Sequence, residues 1–582
     1  MKRWFKYIKP YLSSFILGPA GMIIEVIGEM LMPILLGFLI DNANDKTLTV
    51  PMSFMIAGGM VLVVLLMMAG GVAGAYFGSK ASVNFAADLR QDIYNKVQKF
   101  SFANIDKFSA GSLVTRMTND VTQLQNFVNM MLRMALRSPG MFIGAIIMAV
   151  LLKPSLSLVF AVTIPLMLIT LGGLIYMGFP RFGMMQKKID KLNSTVRENV
   201  TNVRVVKSFV REQYEIEKFE TDNRDLKNAG MRAVRVMIFM GPVMSLFMYV
   251  TIIGVIWFGH GIVLNEQSIA GGMTIGDLSK FITYATQILS SLMMITMLLM
   301  NASRALASGR RICEVLDEVP DISDENARFP EKKVEKGSVV FKDVSFRYYK
   351  QNSEEVLSKI NLEIAAGSTV GIIGSTGCGK TTLVSLIPRL YDADEGSVLI
   401  DGVDVKDYSL TSLRDGIGMV LQKNLLFSGT IAENLRWGDM QATDEEMILA
   451  AKHSAADKFV STFSLGYDTP LEKGGANVSG GQKQRLCIAR ALLKKPQILI
   501  LDDSTSAVDT ATEAQIRTAL REDLPECTKI IIAQRINSVR DADQIVVMDN
   551  GVITGIGTHD ELLENNEAYS EIYYSQMDKK EA

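Results

Sequence analysis

Eight consecutive residues, GSTGCGKT from Gly374 to Thr381, have the composition that phosphate chemistry needs. Gly374, Gly377 and Gly379 let backbone N–H groups close on phosphate oxygens, with Ser375, Thr376 and Cys378 between them. Lys380 can reach the β and γ phosphates, the Thr381 hydroxyl can ligate magnesium, and Thr382 follows at the start of a helix. The apolar run TVGII precedes the loop and TTLVSLI follows it. That order of strand, loop and helix places a bound anion at a helix N-terminus.

A second apolar run, QILILDD, ends in two carboxylates, Asp502 and Asp503. A carboxylate at the C-terminal edge of a strand beside a phosphate loop can hold magnesium, and Asp502 is the metal-side candidate. Upstream lies NVSGGQKQR, where Ser479, Gly480, Gly481 and Gln482 open a helical stretch. By itself such a segment is an ordinary helix cap.

The elements that must position these residues fall into two unequal halves. A chain of 582 residues exceeds one hydrophobic core, which stops growing near roughly 250 to 300 residues. Six apolar stretches, roughly 15–40, 52–79, 134–152, 157–179, 236–263 and 281–302, are long enough to cross a bilayer. Their connections alternate between short ones poor in Lys and Arg and long ones, 80–133 and 180–235, rich in both. The positive-inside rule puts the long connections and both termini in the cytoplasm. The long connections keep helical spacing and read as extensions of the membrane helices. The basic aromatic start, MKRWFKYIKPYLSS, reads as an amphipathic elbow rather than a removable signal.

A membrane domain over 1–310 is therefore expected, then a linker over 311–337, where Pro320 and Pro330 interrupt charged sequence, and a soluble domain over 338–582. In the last, runs such as SVVFKDVSF, TVGIIG, GIGMV, QILILD and KIIIA alternate with helices, the pattern of a largely parallel sheet. A formal net charge of −2 and the absence of a basic stripe argue against a nucleic-acid partner. Cys313, Cys378, Cys487 and Cys527 lack metal-ligand spacing and read as reduced thiols.

With the phosphate loop upstream and the Asp-ended strand downstream, VSGGQ resembles the signature of ATP-binding cassette (ABC) ATPases. The whole chain resembles the type IV ABC exporters, multidrug half-transporters that join a six-span α-helical transmembrane domain to an α/β P-loop nucleotide-binding domain. The resemblance implies ATP and Mg2+ as cofactors and a multi-pass location in a bacterial cytoplasmic membrane. It implies that Tyr348 stacks on adenine, that Gln422 contacts magnesium and the membrane domain, and that SAVD, Ser506 to Asp509, is the D-loop. It also implies coupling helices within FANIDKFSAGSLVTR and VTNVRVVKSFVREQYE.

Two positions depart from the pattern of hydrolysing members. Asp503 stands where they carry the Glu that orients attacking water, and Gln534, in IIIAQR, stands where they carry a switch histidine. A misplacement of roughly 1 Å can cost about a hundredfold in rate. Gln534 offers a γ-phosphate only a neutral hydrogen bond. Sites in this family form between two subunits, so this chain is expected to pair with a different half-transporter, the alternative being a homodimeric exporter with slow hydrolysis. Its Walker motifs then build a degenerate site and its signature completes the partner's active one. The expected cargo is an amphipathic small molecule, with lipids or peptides as the alternative.

Within the first span, Glu25 and Glu29 lie one helical turn apart, where carboxylates are costly and face a partner or a cavity. They are candidates for contact with a cationic substrate or for a structural bond to a neighbouring helix. Methionines cluster at Met240, Met244 and Met248 and at Met293, Met294, Met297 and Met300. They suit either a flexible apolar pocket or ordinary membrane packing.

Overall fold

The fold is that of a computed structural model describing residues 2–266, 272–325, 327–348, 354–503 and 508–577. The chain divides into one unit of Met1–Val97 with Gly111–Asp317 and a second of Gln98–Ala110 with Glu318–Ala582.

The first unit is helical throughout. Its elements are α1 (Lys2–Ile8), α2 (Leu12–Asn44), α3 (Val50–Val97), then, after the short α4 (Phe102–Phe108) of the second unit, α5 (Ala110–Thr115) and α6 (Val121–Met134). They continue as α7 (Arg137–Leu152), α8 (Pro154–Thr201), α9 (Val203–Ser208), α10 (Glu212–Ile238), α11 (Met240–Glu266) and α12 (Ile275–Asp317). Among the described residues, six helical segments are long and apolar enough to cross a membrane, one for each expected stretch. The long connections are indeed helical extensions: α3 and α8 each run unbroken for 48 residues. Pro19 and Pro33 sit inside α2, and Pro165 and Pro180 inside α8, as membrane helices tolerate. A π-helical turn, Arg116–Asp120, joins α5 to α6 and ends at Asp120, which accepts bonds from Ser308 and Arg311 on α12.

The first hairpin closes through glycine. A Cβ on Gly21 of α2 would lie 2.5 Å from the Gly70 carbonyl oxygen and 2.8 Å from the Gly74 amide of α3. Such backbone approach replaces the hydrophobic drive that helices lack in lipid.

In the second unit the strands are β1 (Val339–Phe346), β2 (Leu357–Ile364), β3 (Thr369–Gly374), β4 (Glu395–Ile400), β5 (Val403–Asp404) and β6 (Ile417–Val420). They continue with β7 (Gly429–Thr430), β8 (Pro470–Leu471), β9 (Ile498–Asp502), β10 (Thr528–Ile532), β11 (Gln544–Asp549) and β12 (Val552–Gly557). The helices are α13 (Lys380–Leu386), α14 (Leu410–Asp415), α15 (Ile431–Arg436), α16 (Asp444–His453), α17 (Asp457–Val460), α18 (Gly480–Leu493), α19 (Thr510–Glu522), α20 (His559–Asn565) and α21 (Glu567–Met577).

Six strands form one sheet in the order β12-β11-β3-β10-β9-β6, parallel except for β12. SVVFKDVSF, expected in this sheet, instead supplies β1 of a separate four-stranded sheet, β2-β1-β4-β5, whose pairings are antiparallel. Alternation alone does not tell which sheet a strand joins. One buried cluster packs Ile498, Ile500, Ile530 and Ile532 with β1 and β2, and another packs Leu499, Leu501 and Ile531 with α18 and α19.

Gly21→Val is expected to destabilise the helix hairpin by about 1–3 kcal/mol, the usual range for overpacking. A lower thermal midpoint of the purified protein, against an unchanged midpoint for Gly58→Val where a Cβ meets nothing within 4 Å, checks this.

Candidate functional site

The parallel sheet gathers the site at the C-terminal ends of four adjacent strands. Ile532 of β10 lies opposite Ile372 of β3 and Asp502 of β9, while Leu501 lies opposite Val420 of β6. The residues just past those ends are the phosphate loop, Gln534, Asp502 with Asp503, and exposed Gln422. An open parallel sheet holds ligands at this edge.

Two glycines of the phosphate loop are fixed by geometry. Gly374 has φ 153° and a Cβ there would fall 2.1 Å from the Met548 carbonyl oxygen; Gly379 has φ 99° and would meet Leu357 at 2.9 Å. Lys380 folds over the loop and donates to the carbonyls of Gly374 at 2.8 Å and Ser375 at 2.7 Å. Ser375, Thr376 and Gly377 are exposed around it, and Cys378 is buried beneath.

Thr381 donates to Asp502 Oδ1 at 3.0 Å. The other oxygen, Oδ2, is buried and has no hydrogen-bond partner among the described residues, in a carboxylate only 2% exposed. Burial pushes this carboxyl above the usual range, with Asp503 adding repulsion. An orphaned buried anionic oxygen beside a hydroxyl is the donor set a hard cation takes, so Thr381 and Asp502 fit Mg2+. Bound there, the metal would neutralise phosphate charge, and Lys380 and the loop amides would be placed to position the phosphates.

The two departures from the family pattern touch each other. Gln534 Nε2 donates to Asp503 Oδ2 at 2.8 Å. Asp503 itself has φ 48°, turning the chain away from the line of β9, and its carbonyl accepts from Gln484 of α18 at 3.3 Å. A residue the sequence did not disclose holds the other side: Gln576 of α21 donates to the Gln534 carbonyl at 2.9 Å and accepts from Ile536 N at 3.0 Å. A lone Gln near a C-terminus carries no motif that would reveal it.

The signature residues cap α18. Ser479 Oγ accepts from Gln482 N at 3.3 Å and Gln482 Oε1 accepts from Ser479 N at 2.9 Å, with Gly480 exposed and Gly481 partly so. Asp509 caps α19 by accepting from Thr512 N at 2.9 Å, which holds its carboxyl below the usual range. Ser506 and Ala507 of the D-loop lie outside the described residues.

Tyr348 stands beside the phosphate loop, its hydroxyl 2.9 Å from that of Thr382. Its ring meets Tyr391 edge to face at 5.2 Å, and Tyr391 in turn packs on Phe102 and donates to Asp106 Oδ2 at 2.9 Å. Phe102 and Asp106 belong to α4, which Lys107 and Asn104 also tie to Glu318. The helix expected to couple the domains is thus bonded within the nucleotide-binding unit, through Tyr391 and Asp106, which no motif marked.

In the first unit, Glu25 and Glu29 share one cation. Arg137 of α7 lies 3.1 Å from Glu25 and 2.7 Å from Glu29. The Glu29 carbonyl accepts from Gln287 of α12 at 3.0 Å. Glu25 and Arg137 also border a polar cavity of ≈ 530 Å³ with Asn126, Asn129 and Arg133.

The chain matches the family models for the ABC transporter transmembrane region over residues 15–292 and for the ABC transporter over residues 357–506. It is similar to an uncharacterized ABC transporter ATP-binding protein, YfiB, of Bacillus subtilis (strain 168), 37% identical with 100% of this chain and 99% of that one covered. A second, Rv1273c of Mycobacterium tuberculosis (strain ATCC 25618 / H37Rv), is also 37% identical, covering 98% and 97%. Among solved structures it resembles a bacterial Atm1-family ABC exporter with ATP bound, with a TM-score of 0.77, 26% identity and 98% of both chains covered. The chain belongs to the ABC transporters, and it is an ATP-driven exporter subunit with membrane and ATPase domains fused.

Thr381→Val removes the hydrogen bond from the Thr381 hydroxyl to the Asp502 carboxylate and is expected to weaken Mg2+-ATP binding by about tenfold, as loss of one bond to a charged group does. Nucleotide binding measured with and without magnesium checks it, since binding without metal should change less. Arg137→Met leaves two carboxylates without their cation and is expected to cost about 3–5 kcal/mol. The triple variant with Glu25→Gln and Glu29→Gln should recover most of that loss in thermal unfolding.

Proposed function

We propose that this chain is the degenerate-site subunit of a heterodimeric exporter that moves amphipathic small molecules out across a bacterial cytoplasmic membrane. The observation that carries the reading is the 2.8 Å bond from Gln534 to Asp503. It joins a shortened carboxylate to a neutral amide at the two places where turnover needs a water-orienting base and a positive charge, and it occupies one carboxylate oxygen. This chain's Walker residues bind ATP and hydrolyse it slowly, while Ser479, Gly480, Gly481 and Gln482 complete the active site of a second, different half-transporter.

An exposed apolar tip supports pairing. Around α9, Phe209 is 73% and Val210 80% exposed, with Val203 and Val205 beside them. A surface of this kind belongs against protein. Tyr348 stacks adenine, Gln422 reads the metal side, Asp509 serves the D-loop, and the Lys- and Arg-rich connections keep both termini cytoplasmic. Glu25 and Glu29 contact polar parts of the cargo, with Arg137 cancelling one of their two charges. Met244 and Met248 pack partly buried against the α8 and α12 core, whereas Met293 and Met297 are half exposed and supply adaptable apolar surface.

ATPase activity of the chain alone in lipid is expected to be near background and to rise when the second half-transporter is added. Asp503→Glu with Gln534→His should raise the activity of the pair further, by about tenfold, short of the 10² to 10⁴ that a whole general base supplies because Asp503 already provides a shortened one. Robust turnover by the chain alone would instead identify a homodimeric exporter.

A further inference from the structure

At the end of the parallel sheet opposite the phosphate loop lies a cavity of ≈ 270 Å³ lined by Thr369, Arg517, Thr518, Arg521, Lys529 and Ser538. Thr369 opens β3, and Lys529 is the second residue of β10. Lys529 alternates with Ile530 and so shares the face of Ile531, which also lines the cavity.

Lys529 is only 3% exposed, yet its ammonium has no hydrogen bond or ion pair among the described residues. Burial lowers its proton affinity. Beside it stand Arg521, exposed on the rim and likewise without a partner among the described residues, and Arg517, whose Nε is buried and unpaired. The nearby acids do not balance these cations. Asp541, which also lines the cavity, is 70% exposed and lies 3.7 Å from Arg517, and Asp543 Oδ2 accepts from Thr369 N at 2.8 Å. The Cys527 thiol, pushed by burial to about 11, is neutral.

A buried lysine whose ammonium makes no hydrogen bond or ion pair among the described residues is costly, with Asp543 acting on it only beyond ion-pair distance, and a cavity whose rim adds two guanidinium groups and two hydroxyls offers donors where an anion needs them. We propose that this cavity is a second, regulatory site that binds a small phosphate-bearing anion, held by Lys529, Arg517 and Arg521 with Thr518 and Ser538 donating to its oxygens.

The position gives such an anion a route to the ATP site. Arg517 and Arg521 lie on α19, whose first turn is capped by Asp509. Arg517 also donates to the Asn537 carbonyl, three residues beyond Gln534. Occupancy would fix α19 against the Gln534 loop.

The test uses the full-length chain in lipid nanodiscs with its Walker site saturated by Mg2+ and a non-hydrolysable ATP analogue. Inorganic phosphate, glycerol phosphate and citrate are titrated by calorimetry. The two phosphates are expected to bind and to raise the thermal midpoint. Lys529→Met should weaken that binding by about tenfold or more, and Arg521→Gln by several-fold, as loss of charge-assisted bonds does, with nucleotide affinity unchanged. Lys529→Met should also raise the midpoint in phosphate-free buffer. Should that variant fail to fold, Arg521→Gln on the exposed rim decides the matter. No binding of either phosphate at millimolar concentration, undiminished binding in the variants, or citrate binding more tightly than phosphate would overturn the proposal.

Discussion

The nucleotide-binding unit depends on the register of four parallel strands. Because Ile372, Ile532, Asp502 and Val420 lie at nearly one level across β3, β10, β9 and β6, the next residues of each strand emerge together. A one-residue slip in any pairing would turn the apolar set of that strand to its other face. It would also carry Asp502 away from Thr381. The burial of Ile498, Leu499, Ile500 and Leu501 on both faces of β9 therefore positions a metal ligand as well as building a core.

The membrane unit obeys a different constraint. Lipid provides no partner for a charge, so each ionised group must find one inside the protein. Arg137 meets this need for Glu25 and Glu29 together, and the Gln287 amide and Tyr284 hydroxyl bind backbone carbonyls at Glu29 and Met30 of the same helix. Polar contacts thus fix α2 against α7 and α12, and backbone contact between glycines fixes it against α3.

Much of this was legible in the sequence because its signals are local. The phosphate loop, the Asp-ended strand and six apolar runs each announce themselves within about twenty residues, the span of a membrane crossing. What escaped depends on long-range contact. Arg137 is separated from Glu29 by 108 positions, and Gln576 from Gln534 by 42. Tyr391 meets Asp106 across 285. The bond between Asp503 and Gln534 was half visible: the sequence showed that both positions depart from the pattern, and only the fold showed that the two substitutes bond to each other. The misplacement of β1 has the same origin, since a run of alternating residues does not name its neighbours.

The membership of α4 in the nucleotide-binding unit has a consequence for how the polypeptide is threaded. The backbone passes between the two units at Val97, at Ala110 and at Asp317, so they are stitched together three times instead of hinged once. An ATPase fragment started anywhere in the linker would be missing a piece of its own fold. The ring of Tyr391 would lose Phe102, its hydroxyl would lose Asp106, and Glu318 would lose Lys107 and Asn104. Severing the linker with a protease would likewise not yield two free halves, because the excursion through α4 would still tie them together.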